Sequence, residues 1–228
     1  MAGSRPCKNV HLDNVRSTEL LRLMEEKLLQ TAIDHFGRLG FDGTSTREIA
    51  RTSGTAMSSI TYHFGGKKGL FLAAADYIAE KIKTLQSAHL ETASQAASGT
   101  PSESTEVLLM LLDQFALMMM SPLTEPWARF IVREQQSPTE AFERLYDGVM
   151  KQMIDTLIAL IQNARPDFSD QTVRATAVMF FGQVLVLRVG QASVCRIMEI
   201  EAIDDAHSAL FRTRIRAHVL AIIAENRE

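Results

Sequence analysis

The sequence runs to 228 residues, 46% of them hydrophobic and 22% charged, with a formal net charge of −3. This is an ordinary soluble composition, with enough apolar content for one or two globular units that have a real core. Two cysteines alone, Cys7 and Cys195, exclude a disulfide framework and a Cys-based zinc site, and they fit a reduced, cytoplasmic setting.

Charge is unevenly placed. Through Lys83 there are 12 Lys and Arg against 9 Asp and Glu, and beyond it 12 against 18, so the first third is the part suited to meeting an anion. The opening "MAGSRPCKNVHLDN" has charge and a proline but no apolar stretch of the kind an export signal needs; residues 1–15 are expected to form a mobile tail. The two most apolar runs, 107–123 and 175–192, are broken by Asp113 and Gln114 and by Gln183 and Arg188. Both fall short of the roughly 20 apolar residues that a span requires, so they read as buried helices and no membrane association is expected.

Helical periodicity dominates, and no Asn-Gly or Asp-Gly hairpin signal separates alternating runs, which predicts an all-α fold. The first helix is expected over 18–39, with Leu20, Leu21, Met24, Leu28, Ile33 and Phe36 as its apolar stripe and Gly37 and Gly40 ending it. Phe41 is expected to pack inward. A second helix begins at Ser45, where Ser-Thr-Arg-Glu has the form of a capping box between Ser45 and Glu48, and ends near Ser53. A short third helix over 56–62 and a long fourth over 67–90 complete an N-terminal unit, 16–90. "ETASQAASGTPSEST" is small, polar and Gly/Pro-bearing, so 91–103 reads as a linker. Helices over 104–120, 126–135, 138–164, 170–199 (with a break near Gly190) and 204–226 then build a second unit, 104–228. Pro122, Pro126, Pro138 and Pro166 fall in or beside the gaps, where a missing N–H costs least.

The stretch from Thr46 to Leu70 carries the chemistry. Ile49, Ala50, Gly54 and Ile60 have the spacing of two short helices crossing through a tight turn. Ala50 is small where the next helix approaches, Gly54 can adopt positive φ, and Ile49 and Ile60 lock the pair onto the first helix. In such a helix-turn-helix the second helix enters the major groove of double-stranded DNA, so Met57, Ser58, Ser59 and Tyr62, beside Ala56, face base edges. Thr46, Arg47, Thr61, His63, Lys67 and Lys68 form a rim of hydroxyls and cations suited to phosphate. Taken singly, each has a blander reading as a cap, a packed ring or a solvated charge; together on one small face they favour DNA. No Arg or Lys on the third helix is placed for a bidentate guanine contact, so thymine methyls, Tyr62 and DNA shape are the expected sources of specificity.

These residues also resemble a known family. "TREIARTSG" followed by "ITYHFGGKKGLF", with Phe36-Gly37 and Gly40-Phe41 ahead of them, is similar to the N-terminal signature of TetR-type transcriptional regulators. "ARFIVREQQSPTEAFERLY" resembles the C-terminal domain of the CecR-like branch. The resemblance implies a homodimer on a palindromic operator, probing two sites one DNA turn apart, and a small-molecule effector in the C-terminal domain that changes the spacing of the reading heads. It implies a repressor and no cofactor. Many members have Ser where this chain has Ala56 and Gly66; Ala56 has no side chain to cap with, which leaves Thr55 as the candidate cap.

Beyond residue 110, aromatics and methionines are dense. Phe115, Met119, Trp127, Phe130, Phe142, Tyr146 and Phe181 have two readings, plain core or the lining of an adaptable pocket, and the resemblance favours a subset at a pocket. Arg129 and Arg133, at i,i+4, either put positive charge on that pocket wall or pair with Glu140 or Glu143. Gln183 and Arg188 need partners, at a dimer seam or a ligand site. The last long helices carry Val173, Ala177, Phe180, Val184 and Leu187, then Leu210, Ile215, Val219 and Ile222; that breadth is either a dimer surface or a face covered by the chain's other helices.

Enzymatic readings find little. Glu199, Glu201, Asp204, Asp205 and His207 form an oxygen-rich cluster, but capping by Asp204 and Asp205 explains it more simply than a metal. No Gly-rich phosphate loop, nucleophile elbow or His-Glu-x-x-His is present. The expectation is a DNA-binding regulator rather than an enzyme; the competing class is a small-molecule carrier or sensor that uses the helical pocket without DNA.

Overall fold

The computed structural model describes the backbone of residues 10–225; residues 1–9, most of the expected tail, and 226–228 lie outside it, as do the side chains of 10–18, 20, 88–91, 94 and 95. Among the described residues the chain is helical throughout, with no strand.

Helix α1 spans Val10–Gly43 with a sharp break at Gly40, φ 75° and ψ 176°. It is helical from Val10, earlier than the sequence suggested. Leu28, Ile33 and Phe36 are buried, whereas Leu21 and Met24 stand in solvent, so the apolar stripe faces the core only in the helix's second half. Gly37 does not end the helix; the helix Glu125–Gln136 crosses it there, and a Cβ at Gly37 would lie 3.2 Å from the Phe130 backbone nitrogen. Gly40 makes the break, and the buried hydroxyl of Thr44 secures it by donating to the Gly40 carbonyl at 2.6 Å.

Helices α2 (Thr46–Ser53) and α3 (Met57–Phe64) follow, each closed by a left-handed glycine, Gly54 at φ 74° and Gly65 at φ 70°. Two capping expectations fail. Ser45 is the N-cap residue of α2 but its hydroxyl makes no cap bond, and the Glu48 carboxylate, the other half of the expected box, turns to Arg51. Ala56, not Thr55, is the N-cap of α3, and the Thr55 hydroxyl is taken up by Ser53 at 2.9 Å.

Helix α4 runs Lys67–Ala96 and α5 Pro101–Met120, which shortens the expected linker to four residues. Thr100 and Glu103 form a reciprocal capping box, with proline in the first turn; the Gly/Pro-bearing composition marked a helix start, not a flexible segment. A 3₁₀ turn, Pro122–Thr124, leads into α6 (Glu125–Gln136), α7 (Glu140–Leu145), a π-helical turn over Tyr146–Met150 and α8 (Lys151–Ala164). Then come α9 (Asp170–Val189), the break at Gly190, α10 (Gln191–Met198) and α11 (Asp205–Ile223), whose N-cap Asp204 accepts from the His207 N–H at 2.9 Å.

Two cores result. One gathers Leu28, Phe36, Ile49, Ile60, Leu70 and Ile78 with Phe130, Leu145, Val149 and Met150. It is therefore shared between α1–α4 and the segment α6–π turn, across the expected boundary. The other joins α5, α8, α9 and α11. Val173, Ala177, Phe180, Val184, Leu187, Ile215 and Val219 are buried in it, so these members of the expected dimer surface are intramolecular core. The outward faces of the same helices are nonetheless apolar: Val178, Met179, Val186 and Val189 on α9, and Leu210 and Leu220 on α11. By length and composition alone α9 is apolar enough to cross a membrane, but its inner face is core and carries a buried Arg188.

Candidate functional site

The α2–α3 crossing is built as the spacing required. Ile49, Ala50 and Ile60 are all buried in the first core, α2 packs on α1 and α3, and the left-handed Gly54 closes α2 before α3 begins. What remains outside is Met57, Ser58, Thr61 and Tyr62, with Ser59 half-buried. Tyr62 is 86% exposed, an unusual state for an aromatic side chain unless it has a partner.

The structure treats the expected phosphate rim unevenly. Arg47 is exposed with no ion pair among the described residues, and Thr46 sits half-buried beside it in the first turn of α2. His63 faces Glu25, Nδ1 to Oε1 3.2 Å. Lys67 donates to the Asp42 carbonyl at 3.2 Å and lies 4.7 Å from the centre of the Phe41 ring. Lys68 pairs with Glu140 of α7 at 2.9 Å. Lys68, then Arg144, hold the Glu140 carboxyl below the usual carboxylate range. Gly69 has a role that sequence did not suggest: a Cβ there would fall 1.7 Å from the Phe64 carbonyl oxygen, so the start of α4 packs directly on the end of α3.

The second feature is a cavity of about 720 Å³ between the two units. Glu26, Gln30 and Ile33 of α1 and Tyr77 and Lys81 of α4 form one wall; Leu111, Phe115 and Met118 of α5, Trp127 of α6 and Met153 and Leu157 of α8 form the others. Glu26 accepts from the Tyr77 hydroxyl at 2.6 Å and from Lys81 at 2.7 Å. Those bonds, the Lys81 one first, hold Glu26 below the usual carboxylate range, and Glu26 raises Lys81. Burial, then the bond to Glu26, pushes the Tyr77 phenol up. Gln86 also lines the cavity; among the described residues its buried Oε1 has no hydrogen-bond partner, and its Nε2 meets the thioethers of Met118 and Met153, at 3.9 and 3.8 Å. A buried acceptor left open is costly.

Of the expected pocket residues, Phe115 and Trp127 line this cavity. Met119 and Phe181 line an adjoining one of about 60 Å³, which shares Gln86 and Phe115 with the first. Phe130 lies elsewhere, packed on Phe71 at a centroid distance of 5.0 Å in the first core. Phe142 and Tyr146 stack on each other at 5.9 Å away from both cavities. Arg129 and Arg133 are turned to α1: Arg129 pairs with Asp34 at 3.0 Å and with Glu125, and Arg133 donates to the Arg38 carbonyl at 3.1 Å. Neither pairs with Glu140 or Glu143, because α6 lays this face on α1.

Comparison with known proteins agrees with this architecture. Residues 28–74 match the family model for bacterial regulatory proteins of the tetR family, and residues 104–225 match the C-terminal domain of the HTH-type transcriptional dual regulator CecR. The dual regulator CecR of Shigella flexneri is 28% identical over 203 residues, 87% of this chain and 91% of the relative. Among solved structures, AibR in complex with isovaleryl coenzyme A and operator DNA has a TM-score of 0.62 at 16% identity, covering 87% of this chain and 97% of that one. FadR from Bacillus subtilis in complex with stearoyl-CoA has a TM-score of 0.56 at 14% identity, covering 89% and 99%. At these identities the two structures establish likeness of fold.

Proposed function

The chain belongs to the TetR family of bacterial transcriptional regulators, in the branch with a CecR-type C-terminal domain, and from that membership we propose a cytoplasmic, dimeric repressor that leaves a palindromic operator when a small molecule binds. The observation that carries the reading is the cavity's position. Its wall is made in part by α1 and α4, the helices that hold the α2–α3 pair, so an occupant that fits one arrangement of the two units better than another shifts the reading heads.

On the DNA side, the reading assigns base-edge contacts to Met57, Ser58, Ser59 and Tyr62 and phosphate contacts to Thr46, Arg47, Thr61, His63, Lys67 and Lys68. On the effector side, an apolar body bounded by Phe115 and Trp127, with a hydrogen-bond donor for Gln86, suits the lining. Acyl-CoA esters are natural first probes, since AibR and FadR were solved with such molecules. The dimer is assigned to α9 and α11, where Val178, Met179, Val186, Val189 and Leu210 are exposed apolar side chains that a second copy would cover. The relatives that the chain matches are transcriptional regulators.

Footprinting of the full-length protein on its own upstream DNA at low salt, with and without isovaleryl- or stearoyl-CoA, tests the proposal. Protection of a two-fold symmetric site, with affinity falling steeply as salt rises, is expected. A complete lack of protection, or binding without salt dependence, would sink it.

A further inference from the structure

On a different face of α6 from the apolar cavity lies a crevice of about 350 Å³, walled by Gly37 of α1, by α6 and by the α9–α10 break. Three arginines and one carboxylate line it: Arg129, Arg133, Arg188 and Glu125. The carboxylate is committed, because Glu125 pairs with Arg129, which also takes Asp34 at 3.0 Å. Arg133 and Arg188 have no carboxylate within ion-pair distance among the described residues. Arg133 donates to one carbonyl, that of Arg38, and Arg188 to another, that of Ser121. Arg188 is only 8% exposed. Its Nε, like that of Arg129, is buried with no acceptor among the described residues.

This is an unusual balance. A guanidinium taken out of water needs hydrogen-bond acceptors on its donors and an opposite charge nearby, and Arg188 has one carbonyl. Burial, the largest influence on it, pulls its affinity for the proton below the ordinary arginine range; Glu125 opposes that pull and Arg129 adds to it. The planar donor fork matches two oxygens of a carboxylate or phosphate. We propose that this crevice is a binding site for a small oxyanion, a carboxylate or phosphate group held by Arg188 and Arg133. The site goes beyond the effector cavity and does not depend on it. Its occupant would tie α6 to the α9–α10 break beside the point where α6 packs on α1.

Calorimetry and thermal unfolding of the full-length protein, titrated with inorganic phosphate and separately with citrate at ionic strength held constant by NaCl, test the site. A saturable response to either anion over the chloride control is expected, and which titrant is preferred separates a phosphate from a carboxylate ligand. Arg188→Met, which keeps the volume and removes the charge, should abolish the response. Arg133→Ala should weaken it by tenfold or more, about the loss expected for a charge-assisted hydrogen bond; should Arg188→Met fail to fold, Arg133→Ala decides alone. A response no greater than that to chloride, or one unchanged in the variants, would overturn the assignment. Quenching of Trp127 fluorescence by an acyl-CoA reads the apolar cavity in the same samples, so failure of one site is distinguishable from failure of the other.

Discussion

Gly37 offers the sharpest test of how the two units are joined. A Cβ at this position would meet the Arg129 Cβ at 3.2 Å, the Phe130 nitrogen at 3.2 Å and the Pro126 carbonyl oxygen at 3.4 Å. In an exposed helix, Gly→Ala gains about 1 kcal/mol from backbone entropy. Here two of the three neighbours are backbone atoms of α6, which have no rotamer to escape into, and overpacking of this kind costs about 1–3 kcal/mol. Gly37→Ala should therefore fall between neutral and about 2 kcal/mol less stable, and Gly37→Leu well below that. For a chain of this size each kcal/mol corresponds to about 2–4 °C in Tm, and equilibrium unfolding in guanidinium chloride reads the same quantity. Because α6 also carries Trp127 into the cavity, Gly37→Leu should further change the effector concentration that releases operator DNA. A Gly37→Ala protein stabilised by about 1 kcal/mol with an unaltered effector response would refute the close crossing.

Other outcomes follow from the same geometry. Tyr62→Ala and Arg47→Ala should each weaken operator binding with little change in Tm, and Arg47→Ala should lower the salt slope by about one; titration by fluorescence anisotropy measures both. Glu26 sits below the usual carboxylate range when folded, so the unfolded chain binds its proton more readily and stability falls as pH drops from the ordinary glutamate range through the folded value. In Glu26→Gln that part of the acid limb should flatten, as read by Tm from neutral pH down through the ordinary glutamate value of about 4.3 and at least about one unit below it. A Cβ at Gly182 meets nothing within 4 Å, so Gly182→Arg should leave the protomer folded and shift a dimer to monomer in sedimentation; a dimer that persists would remove α9 from the seam.

Sequence revealed helices and the α2–α3 crossing well, because both are local: periodicity fixes the one, and the spacing from Ala50 through Gly54 to Ile60 fixes the other. Its capping inferences were less secure, since a hydroxyl at the right offset competes with nearer partners. Glu48 prefers Arg51 to the Ser45 backbone, and Thr55 is claimed by Ser53, while the working box at Thr100 and Glu103 lay hidden inside an apparent linker. The cavity was largely illegible. Tyr77 is 51 residues from Glu26, and Arg129 is 95 from Asp34; no spacing rule reaches that far. Aromatic density singled out Phe115 and Trp127, which the fold brings to the cavity, but not the polar wall of Glu26, Gln30 and Lys81, whose residues look like solvated charge in a one-dimensional reading. Phe142 and Tyr146 had the same composition signal and a different fate.

The shared first core bears on how such a protein can be recombined. An engineer who wished to graft these reading helices onto another sensor would cut at the four residues between α4 and α5, where the chain is most obviously jointed. That cut would leave Phe36, Phe71 and Ile78 without Phe130, Leu145 and Met150, exposing an apolar face on each fragment. A chimera with intact parts must carry α6, α7 and the π-helical turn along with the head, as a passenger segment discontinuous in sequence, or must redesign that face. The modular unit of inheritance in this chain is thus a packed surface, and its edges do not coincide with a position in the polypeptide where one could place scissors.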